Sequence, residues 1–163
     1  MFAVKCSLFA LFVCASGALG ACGVDKTPLH IANPDAAHFA TQAYPVLLRD
    51  CGFPACHGAP DRFFSMYGPG RSRLSAASES GDPATDEEIK HSYDRARSMI
   101  DVSDPARSLL LRKPMATRAG GAGHKGTDSL GRNVYETPAD PRFQVLRAWV
   151  LGQVPASDAG VGP

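Results

Sequence analysis

The chain lacks any excess of one charge. Across 163 residues it sets 17 Lys and Arg against 16 Asp and Glu, with the two signs interspersed. No basic stripe is available to meet a phosphate backbone, which excludes a nucleic-acid footprint. Aromatic residues are scarce, at 8% with a single Trp, while 16 Gly and 13 Pro favour long irregular stretches. Side chains alone would build a thin core from this composition, and a group filling the centre would compensate. No segment sustains the apolar–polar alternation of a half-buried strand, and no internal repeat is present. A nucleophile triad, a paired carboxylate site and a phosphate-cradling glycine loop are all missing, so an independent enzyme is not expected. What the chain does carry is five cysteines, and their placement is informative.

Three of them fall in the first twenty-two residues, which read as an export signal. Lys5 supplies the positive start, Leu8 through Ala15 the apolar stretch, and small residues lead to Leu19-Gly20-Ala21-Cys22. The stretch is too short and wrongly flanked for a lasting transmembrane helix. Its end resembles the bacterial lipobox, which implies removal of residues 1–21 and a lipid on Cys22. Simple secretion, with cleavage after Ala21, is the alternative. Residues 22–36 are polar, contain Pro28 and Pro34, and read as a tether. Gly23, where an inner-membrane retention signal would place Asp, favours the outer membrane. The expected location is therefore the cell envelope, facing the periplasm on a lipid anchor.

Cys6 and Cys14 leave with the signal, so Cys51 and Cys56 remain for chemistry. They stand in Cys51-Gly-Phe-Pro-Ala-Cys56-His57-Gly58. A histidine directly after the second of two close cysteines is what covalent haem attachment requires: two thioethers to the haem vinyl groups, and the adjoining imidazole on the iron. The ordinary spacing is C-x-x-C-H; here four residues intervene. In an oxidising compartment the competing fate of the pair is a disulfide, which would make the protein a non-haem binding or structural lipoprotein. A zinc site is a third possibility, since C-x4-C is a permitted ligand spacing, but no second close Cys or His pair accompanies it.

About 140 residues remain after the signal, enough for one small domain. Residues 37–153 are expected to form it, and 154–163 a disordered tail. Three helices are predicted. The first covers Ala37 to Asp50, with Phe39, Ala43, Val46 and Leu47 on one face and Pro45 either kinking it or opening a shorter helix. The second runs from Asp86 to Ile100 behind a Thr85–Glu88 capping box, burying Ile89, Tyr93, Ala96 and Ile100 and leaving His91 exposed. The third starts at Pro141 with Asp140 as its cap, turns Phe143, Leu146, Trp149 and Val150 inward, and stops near Gly152. Gly58–Asp82 and Lys113–Pro138 are loops too long to be idle connectors. The domain is therefore expected to be mostly helical.

The order of helix, C…CH-G, long loop, helix and aromatic closing helix resembles class I c-type cytochromes. It is closer still to cytochrome c-like domains of bacterial exported lipoproteins. The resemblance rests on Cys56-His57-Gly58, on Asp104-Pro105-Ala106-Arg107-Ser108-Leu109-Leu110-Leu111-Arg112-Lys113-Pro114, on Gly120-Gly121-Ala122-Gly123-His124-Lys125-Gly126, and on Arg142-Phe143 with Leu146-Arg147-Ala148-Trp149-Val150. It spans roughly Tyr44 to Gly152; the wide cysteine gap and an insertion from Arg62 to Arg73 depart from the pattern.

The resemblance implies a small helical domain, its first and last helices crossing at right angles, with long loops around a covalent haem c. Cys51 and Cys56 would hold the haem and His57 its iron. His124 is the preferred sixth ligand and Met115 the alternative; Met66 and Met99 are outside candidates, Met99 being expected to serve packing. Arg71, Arg73, Arg112 and Lys113 are weaker candidates for meeting the haem propionates. The function implied is single-electron transfer to a redox partner that the sequence does not identify; an open sixth position would instead allow small gases or peroxide to bind.

Overall fold

The structure, a computed structural model, describes residues 32–124 and 133–153. The signal segment with Cys22, the start of the tether, Lys125 and Gly126, and the C-terminal tail lie outside the described residues. Described are five α-helices: α1 (Ala36–His38), α2 (Tyr44–Cys51), α3 (Asp86–Arg97), α4 (Leu109–Arg112) and α5 (Pro141–Val150). The protein is mostly helical, and among the described residues no strand forms beyond one isolated parallel bridge between Met115 and Tyr135.

Pro45 decides how the first helical stretch is built. α1 and α2 are joined without a break by a π-helical turn over Phe39–Ala43, in which the Tyr44 amide reaches back to the Phe39 carbonyl. A proline has no amide to donate, and its ring collides with the carbonyl four residues earlier. The wider π turn just before Pro45 relieves that collision. The stretch therefore continues past Pro45 and ends on Cys51.

α3 begins at the expected capping box, with Thr85 accepting from the Glu88 amide and Glu88 from the Thr85 amide. It ends at Arg97, three residues before the expected Ile100. Its innermost line is also rotated. Glu88, Ser92 and Ala96 are fully buried, whereas Ile89 and Tyr93 pack half-buried at the margin of the core. A buried charge needs full compensation, and Glu88 has it: Arg73 grips both carboxylate oxygens, at 2.8 and 2.9 Å, and the Leu74 amide donates at 3.0 Å. The small Ser92 and Ala96 then permit close approach. His91, expected to be exposed, is half-buried: its Nε2 lies 2.9 Å from the Ser65 hydroxyl and its ring packs edge-on against Tyr67.

α5 forms as expected, with Asp140 accepting from the Arg142 amide at 2.9 Å and Gly152 past its end in the left-handed region. It packs on the π turn and on α2. The fully buried Phe39 is the hub, its ring centre 4.9 Å from Trp149 on α5 and 5.4 Å from Tyr93 on α3. The Trp149 indole donates to the Asp35 carbonyl at 2.8 Å, clamping the last helix to the entry of the first.

Candidate functional site

Cys51 is the last residue of α2, facing inward and buried. The chain then makes a tight turn whose tip, Phe53, Pro54 and Ala55, is exposed. The Cys56 and Gly58 amides both return to the Phe53 carbonyl at 2.8 Å, and the His57 amide donates to the Cys51 carbonyl at 3.0 Å. The four residues between the cysteines thus loop outward, and Cys51 and His57 stay adjacent. Gly58 is dictated by this turn, because a Cβ there would run into the Gly52 carbonyl and the Phe53 backbone.

Cys51, Cys56 and His57 line one cavity of about 230 Å³, together with Leu47, Leu110, Val134 and Leu146 among a mostly apolar set. Both thiols are unbridged, Cys51 buried and Cys56 exposed. Burial pushes the Cys51 thiol up to about 12, helped by the neighbouring Asp50 and Cys56. His57 Nδ1 lies 2.8 Å from the Phe64 carbonyl. A carbonyl only accepts, so Nδ1 carries the proton and the Nε2 lone pair is left to act as a ligand. Burial depresses the His57 pKa, more than the Phe64 contact raises it, and His124 and Arg62 push the same way as burial. These influences together favour the neutral form of the ring.

His124 enters the same cavity from the other long loop, its ring centre 5.8 Å from that of His57 and tilted by 35°. The glycines before it explain the approach. A Cβ on Gly121 would collide with the Met115 carbonyl, and the Gly121 amide donates to the Ala116 carbonyl at 3.0 Å. The loop is pinned further by the Ala122 amide on the Arg112 carbonyl at 2.8 Å and by Lys113 Nζ on the Gly123 carbonyl at 3.2 Å. Met115 does not line the cavity; it is buried in the core beneath this loop. Met66 is a core residue as well, whereas Met99 lines the cavity half-buried.

Of the four basic candidates, Lys113 alone lines the cavity. Arg73 is committed to Glu88. Arg71 caps the end of α2 through the Leu48 and Arg49 carbonyls at 3.2 and 3.1 Å and stacks 4.0 Å over Phe53. Arg112 leans on the Gly120 carbonyl at 3.5 Å. Two contributors escaped the sequence reading. Phe64 acts through its backbone, which leaves no signature in residue type. Asp50 lines the cavity with its side chain 5% exposed, and it did carry a signal: a carboxylate in the last turn of a helix faces the negative end of the dipole and must find cations elsewhere.

Among the described residues no three His, Cys, Asp or Glu side chains gather closely enough to cage a metal ion by themselves, and no helix is long and apolar enough to cross a membrane. No protein-family model matches the chain, and neither the curated proteins nor the solved structures contain a significant match to it.

Proposed function

We propose that this chain is a lipid-anchored c-type haem protein that passes single electrons in the cell envelope. The observation that carries the reading is the cavity itself. Two thiols and two imidazoles from distant segments line it, and the proximal candidate His57 has its Nδ1 proton committed to a backbone carbonyl. The donor set suits haem. Each thiol can add across one vinyl C=C, sulfur bonding one carbon and the thiol hydrogen going to the other, so both thioethers form without an oxidant. His57 and His124 present their imidazoles to the same cavity, ring centres 5.8 Å apart, and would be the residues to hold the haem iron.

Bound haem supplies the one-electron couple. The chain's own residues supply attachment, orientation and dryness. Leu47, Leu110, Val134 and Leu146 exclude water, and the Lys113 ammonium offers a cation to a propionate. The lipid on Cys22 rests on Leu19-Gly20-Ala21-Cys22 and makes the chain a tethered carrier.

Expression alongside haem-maturation machinery tests the reading. The expected product is coloured, has a sharp Soret band, gains the mass of one haem and leaves no free thiol at Cys51 or Cys56. A colourless product of unmodified mass with a Cys51–Cys56 disulfide overturns it in favour of a non-haem lipoprotein. For the anchor, Cys22→Ala should shift the protein from the membrane to the soluble fraction; unchanged fractionation removes that part.

A further inference from the structure

Asp50 sits in the cavity wall directly before Cys51, with three residues donating to its carboxylate. The Tyr135 hydroxyl donates to Oδ2 at 3.0 Å, while Arg49 Nε and Arg142 Nη1 reach Oδ1 at 2.8 and 3.3 Å. The exposures separate the charges. The Asp50 side chain is 5% exposed, whereas those of Arg49 and Arg142 are 55% and 41% exposed. Arg142 is shared with Asp140, 2.7 Å away. Neither arginine lines the cavity; Asp50 does. Charges in water are screened within about 10 Å at ordinary salt, and buried ones far less. Of this cluster only the carboxylate faces the cavity, where Lys113 is the other charged side chain in the lining; the two arginines, turned towards solvent, offset it only in part. Tyr135, fully buried, holds the carboxylate from the inner side and makes no demand for a counter-charge.

We infer that Asp50 is a potential-setting residue: its buried negative charge disfavours gain of an electron in the adjacent cavity, and Arg142 offsets part of it. The inference rests on the haem reading above. The couple it acts on is one electron added to ferric iron to give ferrous iron, with no proton transferred. The electron comes from a one-electron mediator in a potentiometric titration.

Two variants give opposite signs. Asp50→Asn keeps the shape and the Tyr135 contact but removes the charge, so the midpoint potential should rise. The change expected is on the order of tenfold in the reduction equilibrium at the effective dielectric of a partly buried site, about 59 mV for a one-electron couple. Arg142→Gln uncovers the carboxylate and should lower the potential by a smaller amount. A merely structural disturbance, such as water entering the cavity, would move both variants in one direction. Shifts of the same sign, or an unchanged potential in Asp50→Asn with an intact Soret band, overturn the inference while leaving the haem reading standing. A wild-type protein without haem overturns the haem reading itself, and this inference with it. Should Asp50→Asn fail to fold, a potential in Arg142→Gln that is unchanged or raised is sufficient to reject it.

Discussion

The amide of His57 donates to the carbonyl of Cys51 across 3.0 Å. The two residues are six apart in sequence, yet the backbone joins them as closely as neighbours in a turn. This contact holds the two ends of the long cysteine gap together. The surplus residues leave the plane of the motif as an exposed tip, and the buried thiol and the imidazole remain on the cavity side.

Gly58 is the steric condition for that turn. In Gly58→Ala the methyl group would meet the Gly52 carbonyl oxygen and the Phe53 carbonyl carbon, the latter at 2.8 Å. Both are backbone and cannot step aside. A loss of about 2 kcal/mol is expected, within the usual span for a strained single substitution. Gly81→Ala, where the added atom meets nothing within 4 Å, should stay within about 0.5 kcal/mol of the parent. Denaturant titration of the two variants checks the contrast, and equal losses would show that the turn yields.

Acid should release the Glu88–Arg73 pair. Burial pushes the Glu88 carboxyl up, but Arg73 and the Leu74 and Thr85 amides outweigh it and leave the pKa below the ordinary 4.5. A group depressed in the folded state stabilises the fold above its unfolded pKa. That contribution should be fully present above 4.5 and lost as pH falls through the folded value. In Glu88→Gln the midpoint should be lower at neutral pH and should depend less on pH in the acid range. Thermal melts across that range read both effects; an unaltered acid slope would assign the loss to other carboxylates.

Much of the helical frame was legible because its signals are local. The Thr85–Glu88 box and the Asp140-Pro141 start each need only a few consecutive residues. Their burial was less legible. Ile89 and Tyr93 were read as the inner face of α3 by hydropathy alone, yet Glu88 took that place because Arg73, fifteen residues earlier, compensates it. His91 was similarly drawn inward by Ser65. The wall formed by Asp50, Phe64 and Val134 depends on which loop lies on which helix, and no periodicity encodes that. Pro45 was recognised as a disturbance, but whether it would kink the helix or open a new one is decided by the π turn, a tertiary accommodation.

Trp149 gives a direct optical probe, since it is the chain's single Trp and is fully buried. Its emission in the folded apoprotein should be blue-shifted and move to longer wavelength on unfolding. It lies on α5 one turn beyond Leu146, which lines the cavity, so bound haem should quench it strongly by energy transfer. Trp149→Phe keeps the ring beside Phe39 and loses one of two hydrogen bonds to the Asp35 carbonyl, which retains the Phe39 amide at 3.1 Å, at a cost of about 1 kcal/mol. Strong emission from the folded, haem-loaded protein would place the haem away from this cavity.

The sixth ligand separates two physical outcomes. His124 lines the cavity with its ring 5.8 Å from His57, whereas Met115 is packed beneath the glycine loop. Removing an imidazole ligand opens the iron, so His124→Ala should convert the ferric spectrum from low-spin to high-spin, and added imidazole should restore it. Truncating Met115 to Ala would confuse the comparison, since emptying a core site costs about 2–5 kcal/mol. Met115→Leu conserves volume, at less than about 1.5 kcal/mol, and should leave a low-spin spectrum without the far-red band of a methionine–iron pair. The potential should also be on the lower side, because a thioether ligand raises it. If Met115→Leu alone abolishes the low-spin spectrum, the loop must rearrange on haem binding to bring the sulfur to the iron, and His124 is then a wall residue rather than a ligand.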